Sequence, residues 1–557
     1  MTLQGAGVGR AGVIGPVVRV SPAPAAPTNE AVPADRDETA QRVEQAFDDV
    51  AAGLLAQAAT AQGAAVSVLE ATAQMAQDPA LRKQTLARVR DGEPPVTALD
   101  AVIGGFADMF TKAGGMLAER VTDLRSVRDR VAALVLGTPA PGVPVLTEPS
   151  VVVADDLAPA DTAALDLRCV LAIVTERGGT TSHTAIIAGQ LAIPCVVRVA
   201  GAMDLAEGTV VAVDAAAGTV EPNPSEATAA AFAERARVAR QLAEDTSAGA
   251  TADGHPVNLL ANIGTAEDAD RLAVGSVEGV GLFRTEVLFL GRATAPTREE
   301  QAAVYTRVLT SLGGRKLVVR TLDAGADKPL AFATQPDEEN PALGIRGYRL
   351  VRTAPELLET QLGALADAQE ATGVEPWVMA PMIATVGEAR DFAAAARRHG
   401  IRTVGVMVEV PAAALRAEAI LAEVDFVSMG TNDLAQYVMA TDRLCGELSD
   451  LISLWQPAVL DLVAATAAAG ERTGKPAGVC GESASDPVMA VVLTGLGVTS
   501  LSMAPAAVPT VRYAIAQHTR EQAQAVARAA LGADTADAAR AAAVAALRPE
   551  VVQVLAL

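Results

Sequence analysis

The sequence predicts a multidomain α/β chain: a C-terminal (β/α)8 TIM barrel, a smaller swivelling α/β domain, and an all-α helical bundle inserted into that smaller domain. Three observations predict it. After residue 255, eight apolar strand candidates (257–263, 279–283, 316–322, 376–381, 403–409, 425–430, 476–480 and 498–503) alternate with helix-like stretches. Between residues 38 and 136 the apolar positions recur instead at i, i+3 and i+4. Strand patterns rich in Gly, Val and Ile flank that helical block, in 1–20 and again in 144–224.

Residues 1–20 read as one or two short strands, closed off by a joint containing Pro22, Pro24, Pro27 and Pro33. Five helices are expected at 38–62, 64–77, 79–91, 97–113 and 115–136. Strands are expected at Pro144-Val-Leu, 150–154, 170–175, 194–197 and 209–214. Pro222 and Pro224 then punctuate the chain, and 225–245 reads as one charged helix. At about 1.5 Å per residue it spans roughly 30 Å. The segment 247–254, rich in Ser, Gly and Ala, reads as its flexible end, so a stiff rod with soft joints would let a domain swing. The stretch 519–547 is helical and alanine-rich. The expected boundaries are 1–20 with 144–224 for the α/β domain, 21–143 for the bundle, 225–254 for the linker and 255–557 for the barrel.

Composition excludes several function classes. The 557 residues exceed one core and suit about three domains. Half are apolar and 3% aromatic, which favours closely packed helices over disorder. Mean hydropathy is positive, yet no apolar run approaches the roughly 18 residues a spanning helix needs. The first twenty residues lack the charged start and compact apolar stretch of a signal peptide. A net charge of −22 argues against non-specific nucleic-acid binding, and any anion site must gather its arginines locally. Cys169, Cys195, Cys445 and Cys480 form no CxxC or zinc spacing, which suits a reducing, cytoplasmic setting. Gly7-Val-Gly9-Arg-Ala-Gly12 fits the dinucleotide glycine pattern, but no adequate strand precedes it and no clear helix follows.

Two sets of residues carry chemistry. The first is Gly178-Gly-Thr-Thr-Ser-His183, which precedes helix-like apolar spacing that stops at Pro194. Glycines let backbone approach a bulky anion, and a helix N-terminus favours negative charge, so a histidine there suits carrying a phosphoryl group. A capped helix start at Ser182 with a structural histidine is the plainer alternative. The second set lies at strand ends, where barrels build active sites. These are Arg284-Thr-Glu286, Arg320-Thr-Leu-Asp323, Glu409, Asn432-Asp433 and Cys480, with Arg346 and Arg443 in connecting segments. Arginines clamp phosphate and carboxylate through paired hydrogen bonds, and two carboxylates on neighbouring strands can hold magnesium. Singly, a strand-end arginine is often a surface ion pair and a buried cysteine inert packing; together they point to phosphoryl transfer.

Over nearly its whole length, and in the same domain order, the chain resembles enzyme I of the phosphoenolpyruvate-dependent sugar phosphotransferase system. The stretches that carry the resemblance are GGTTSHTAIIA (178–188), EGVGLFRTEVLFL (278–290), VVRTLDAGADKP (318–329), ENPALGIRGYRL (339–350), GVMVEVPAAA (405–414), SMGTNDLAQYVMATDR (428–443) and GVCGESA (478–484). The resemblance implies a phosphohistidine domain in which His183 is the phosphorylated nucleophile. It implies that Arg284 and Arg320 bind phosphoenolpyruvate with Asn432 and Arg443, that Arg346 belongs to the same cluster, and that Glu409 and Asp433 ligate Mg2+ beside the substrate. Cys480 would protonate the enolate carbon to give pyruvate. The implied acceptor is the phosphocarrier protein HPr, docking on 21–143, and the implied assembly is a homodimer through the barrel, the other domains swinging between barrel and acceptor.

Many relatives carry arginine where this chain has Thr180 and Gly189, so two positive charges beside the histidine are missing; Arg177 is the expected partial replacement. Three rival readings remain. A phosphoenolpyruvate synthase or pyruvate phosphate dikinase shares the histidine domain and barrel but needs a large nucleotide-binding domain ahead of them. Here the residues before His183 read as strand plus bundle, and no Walker-type loop occurs. A nitrogen-regulatory paralogue would carry an extra N-terminal sensory domain. A non-catalytic phosphoenolpyruvate sensor would keep the fold and lose the chemistry, with Thr180 and Gly189 its foothold.

Overall fold

The computed structural model describes residues 2–557 apart from positions 10, 11, 22, 23, 25, 26, 28, 29, 60–63, 114–119, 139, 140, 145, 147, 158–164, 166, 167, 180–183, 186, 187, 189–192, 273–276, 291, 326–329, 331, 334–337, 443–447, 449 and 450. His183 and Arg443 therefore lie outside the described residues, as do Thr180 and Gly189. The chain divides into two compact units, Met1–Glu234 and Arg235–Leu557.

The first unit holds an eight-stranded sheet among its described residues: β1 (Leu3–Gln4), β2 (Ala6–Val8), β3 (Gly12–Arg19), β4 (Ser150–Ala154), β5 (Val170–Thr175), β6 (Cys195–Val197), β7 (Val210–Asp214) and β8 (Thr219–Pro222), in the order β1-β8-β7-β3-β4-β5-β6-β2. β3 pairs in parallel with β4, although more than a hundred residues of chain lie between them. That chain forms the bundle: α1 (Arg36–Ala58), α2 (Ala64–Ala76), α3 (Pro79–Arg90), α4 (Pro95–Ala113) and α5 (Val121–Leu136). The bundle is thus inserted, as the strand patterns on both sides of it imply. Its helices bury one stripe each, including Phe47, Leu54, Leu81, Leu99 and Val131. Asp35 caps α1 through the Glu38 N–H, and Asp78 caps α3 through the Leu81 N–H. Glu30 accepts from the Val96 and Thr97 N–H groups at the start of α4, and Arg128 donates to the Pro24 carbonyl. The proline-rich lead is therefore tied to the helices it introduces.

The glycine pattern at 7–12 serves strand packing. A Cβ at Gly7 would lie 1.7 Å from the Ala215 carbonyl oxygen, so only glycine lets these backbones meet. β8 escapes a sequence reading because Thr-Val-Glu-Pro is too short to show alternation.

The helix Glu226–Ala243 agrees with the rod expected from the sequence. The segment after it corrects an expectation, because 247–254 is not a soft joint. Ser247 N–H binds Asp245, Val257 N–H binds the Gly249 carbonyl, and Thr251 hydrogen-bonds Asp253 and His255. The Ala252 N–H donates to the His518 carbonyl, and Arg520 N–H binds Asp253. Small residues here permit a tight turn stitched by these hydrogen bonds, which composition alone does not distinguish from a loose tether.

In the second unit β9 (Asn258–Ile263), β10 (Gly279–Arg284), β11 (Lys316–Arg320), β12 (Trp377–Ala380), β13 (Val404–Val408), β14 (Phe426–Met429), β15 (Ala477–Val479) and β16 (Ser500–Met503) form a closed barrel, β16 returning to β9. Every neighbouring pair is parallel. Parallel strands sheathed in helices are buried on both faces, which is why each reads as a continuous apolar run. The layer between strands and helices contains Phe283, Tyr305, Phe392 and Val491. Inside the barrel, Leu282, Val318, Met379, Met407 and Phe426 pack beneath Cys480. Beyond β16 the chain ends in the helices Arg520–Leu531, Ala536–Ala546 and Pro549–Leu555. No helix among the described residues is long and apolar enough to cross a membrane.

Candidate active site at the barrel mouth

The C-terminal ends of the strands gather the polar residues read from the sequence. Arg284 ends β10 and Arg320 ends β11, and the two are register partners on adjacent parallel strands. Arg284 is exposed, whereas Arg320 is buried. Arg320 pairs with Glu286, with Asp323 at 3.0 Å and, more loosely, with Glu409 at 4.0 Å. Burial works against its charge, but Glu286, Asp323, Glu409 and Asp433 together hold it above the ordinary arginine value. Its Nε is buried with no hydrogen-bond partner among the described residues, a donor left for an anion.

Arg346 reaches the same cluster from the connection between β11 and β12. It donates to Asp433 at 3.1 Å, to both oxygens of Asp323 at 3.4 Å, and to the Tyr437 hydroxyl at 3.4 Å. Asp433 and Asn432 lie in the first turn of the helix Thr431–Val438, directly after β14. The Asn432 side-chain oxygen accepts from the Glu482 N–H at 3.0 Å, which leaves its amide nitrogen to donate.

Glu409 follows β13 and is fully enclosed, at 1% exposure. Burial, then Asp433, then Asp323 push its carboxyl up to about 8, against the pull of Arg320 and the Met382 N–H. Met382 holds a left-handed φ of 59° to present that N–H at 2.9 Å. A Cβ at Gly430 would come within 2.6 Å of the Glu409 oxygen, so glycine is required where β14 passes this carboxylate.

Cys480 sits just after β15, above the apolar barrel interior, with its thiol 3.6 Å from the Met429 carbonyl oxygen. Burial pushes the thiol up to about 11, so it stays protonated through neutral pH. Its carbonyl accepts from Asn262 at 3.3 Å, and Asn262 in turn accepts from Ser502 at 2.6 Å.

The structure thus brings together Arg284, Arg320, Arg346, Glu409, Asn432, Asp433 and Cys480. Sequence reasoning left Glu286 and Asp323 without roles, although both stand in the same strand-end stretches as the arginines. Tyr437 was legible as the i+4 neighbour of Asp433 on one helix face. Nothing in the local sequence marks Asn262 or Met382. In the other unit, Arg177, the expected partial replacement for the missing charges, is paired with Asp155 through both Nε and Nη2.

Three arginines face four carboxylates, Glu286, Asp323, Glu409 and Asp433, so the described cluster carries one negative charge in excess when all are ionised. An anionic substrate entering this mouth needs additional positive charge. Glu409, discharged first by burial and then by Asp433, would regain its charge beside a cation, and its oxygens and those of Asp433 are the donor type a divalent cation takes.

Comparison with known proteins identifies the families that this chain matches. The family described as "PEP-utilising enzyme, PEP-binding domain" matches residues 238–520. The mobile domain of PEP-utilising enzymes matches 146–218, and their N-terminal domain matches 4–120. A phosphoenolpyruvate-protein phosphotransferase of Streptomyces coelicolor is 50% identical over 553 residues, covering 99% of this chain and 100% of that one. The chain belongs to the phosphoenolpyruvate-protein phosphotransferase family. A Haloferax volcanii protein of the same name is 40% identical over 485 residues, covering 84% of this chain and 85% of that one. As a phosphoenolpyruvate-protein phosphotransferase of the enzyme I type, the chain is an enzyme of phosphoenolpyruvate-dependent phosphoryl transfer. Divalent-metal use is general in that family.

Proposed function

We propose that the chain transfers the phosphoryl group of phosphoenolpyruvate to its own His183 and then to a histidine of the phosphocarrier protein HPr, releasing pyruvate, as the first step of sugar uptake by the phosphotransferase system. The observation that carries this reading is the in-register pair Arg284 and Arg320, joined by Arg346, over a carboxylate pair and a protonated buried thiol.

The residues divide the work. Arg284, Arg320 and Arg346 hold the substrate's phosphate and carboxylate through charge-assisted hydrogen bonds, with Asn432 and Arg443 completing the clamp. Glu409 and Asp433 would hold Mg2+. When bound, the cation supplies positive charge that offsets the acidic excess of the mouth and the charge of the phosphoryl group. A nitrogen of His183 attacks phosphorus, and the bond from phosphorus to the enol oxygen breaks. The enolate takes a proton at carbon from the Cys480 thiol, and solvent restores that proton. A thiol pushed up to about 11 is a weak acid well suited to protonating a basic carbanion-like carbon.

The bundle, 21–143, is the docking domain for HPr, 144–224 with 1–20 is the phosphohistidine domain, 225–254 is the linker, and 255–557 binds substrate and forms the homodimer. The working compartment is the cytoplasm.

The test is incubation of the full chain with phosphoenolpyruvate labelled in its phosphate, with Mg2+ and no nucleotide. Acid-labile label on His183 with equimolar pyruvate is the expected result, and His183→Ala abolishes the label. Label that requires ATP would overturn this reading in favour of a dikinase. Substrate binding without label would overturn it in favour of a sensor.

A further inference from the structure

We propose that a hydroxyl-lined cavity inside the barrel returns a proton to Cys480 after each pyruvate is made, with Ser428 as the last donor. The inference rests on the functional reading above and names the route by which solvent restores that proton.

The two halves of the barrel interior differ in character. β10, β11, β12 and β13 fill it in the ordinary way, with Leu282, Val318, Met379 and Met407. The other four strands bring hydroxyls, an amide and a gap. Ser428 lies two residues beyond Phe426 in β14, so both face the interior. Its register partner on β15 is Gly478, two residues before Cys480. β16 adds Ser500 and Ser502 on one face, and β9 adds Asn262. Glycine makes the space. A Cβ at Gly478 would lie 2.3 Å from the Ser500 hydroxyl oxygen, and one at Gly281 would lie 2.5 Å from that of Ser502.

Ser428, Ser500 and Ser502 line one cavity of about 20 Å3, room for a water with three hydroxyl partners. Its lower rim at the strand starts, Lys316, Pro476 and Ser500, is half-buried and so within reach of solvent, whereas Ser428 and Ser502 are buried. At its upper end stands the Cys480 thiol, toward which Ser428 is the side-chain hydrogen-bond donor. The backbone of Cys480 is pinned above that hydroxyl. Its N–H binds the Met429 carbonyl at 3.1 Å, and its carbonyl accepts from Asn262, itself held by Ser502. Cys480 is only 3% exposed, and bound product covers its mouth side, so the interior is the side left for a proton to arrive from.

Cys480 gives its proton to the enolate carbon and is left a thiolate. The Ser428 hydrogen then moves to sulfur while the Ser428 oxygen takes a hydrogen from the cavity water. Solvent at the rim returns that hydrogen to the water, so each pyruvate consumes one solvent proton. Burial pushes the thiol up to about 11, which makes the thiolate base enough to draw the transfer. Restoring the thiol while pyruvate is still bound keeps the thiolate from taking the proton back from the methyl group.

The experiment uses the full chain with phosphoenolpyruvate, carbon-labelled pyruvate and Mg2+ in deuterium oxide, with no acceptor protein. Two rates are read: carbon exchange between pyruvate and phosphoenolpyruvate, and deuterium entry into the pyruvate methyl group. In the wild type, deuterium should enter with each exchange event. In Ser428→Ala the ratio of deuterium entry to carbon exchange should fall about 10-fold, because the isolated thiol hands back the proton it holds. Ser428→Thr keeps the hydroxyl and should recover the ratio. A merely structural disturbance at the thiol slows both rates together and leaves the ratio unmoved. A wild-type ratio in Ser428→Ala would therefore overturn the inference and assign reprotonation to the mouth. Absence of carbon exchange in the wild-type chain would instead overturn the functional reading, so the two failures are distinguishable.

Discussion

The mouth and the floor of the barrel treat a buried cation in opposite ways, and one strand contains both. Lys316 opens β11 and Arg320 ends it, and the two-residue period of a strand places them with Val318 on one face. At the mouth, four carboxylates surround Arg320 and keep it charged. At the floor, Lys316 lies 3.6 Å over the Trp377 ring, beside Phe426, Ser500 and Ser502. Burial pulls its amine down to about 8. Burial by itself loosens a cation's hold on its proton, whereas paired carboxylates strengthen it and keep the form that binds an anion. The charged end is the end where the barrel does chemistry.

Four outcomes break or sharpen this contrast. Arg320→Met should have the largest effect, because it leaves Glu286, Asp323 and Glu409 facing one another without their common partner. We expect loss of about 3–5 kcal/mol by denaturant unfolding and no measurable phosphoenolpyruvate-dependent labelling. Retained stability would mean the carboxylates are neutral without it. Cys480→Ala should slow pyruvate formation about 10²- to 10⁴-fold while substrate affinity changes little. Comparable turnover of the variant would remove the thiol from the mechanism.

Third, the carboxyl of Glu409 is raised to about 8, above its unfolded value. Its contribution is therefore present at acid pH and lost as pH climbs toward about 8. Added Mg2+ should raise the melting temperature more near about pH 9 than near about pH 6, and Glu409→Gln should remove most of that difference. Equal protection of the wild type at both pH values would argue against a cation at this pair. Smallest is Lys316→Met. The amine is lowered in the folded state, so the unfolded chain binds more protons between about pH 8 and 10.5, and stability rises with pH in that window. The variant should flatten that rise, gain a few degrees in melting temperature at about 2–4 °C per kcal/mol, and label at the wild-type rate.

The barrel was legible because its strands are buried on both faces: runs such as Leu317-Val-Val and Val404-Gly-Val-Met-Val carry no alternation to confuse them with half-exposed strands. Polar residues directly after such runs marked the mouth before any coordinates. What stayed hidden were partners distant in sequence. Arg346 reaches Asp433 across 87 positions, and Asn262 reaches the Cys480 carbonyl across 218. The turn at 247–254 was misread because its order comes from His518 and Arg520, far along the chain.

The sequence by itself determined the fold class, the order of elements and which polar residues stand at the strand ends, because periodicity and strand-end composition are local properties. Only the tertiary structure decided which charges neutralise each other: Asp155 occupies Arg177, while Arg198 reaches the glycine pair from the next strand. Ionic pairing depends on separation in space, which chain order does not encode.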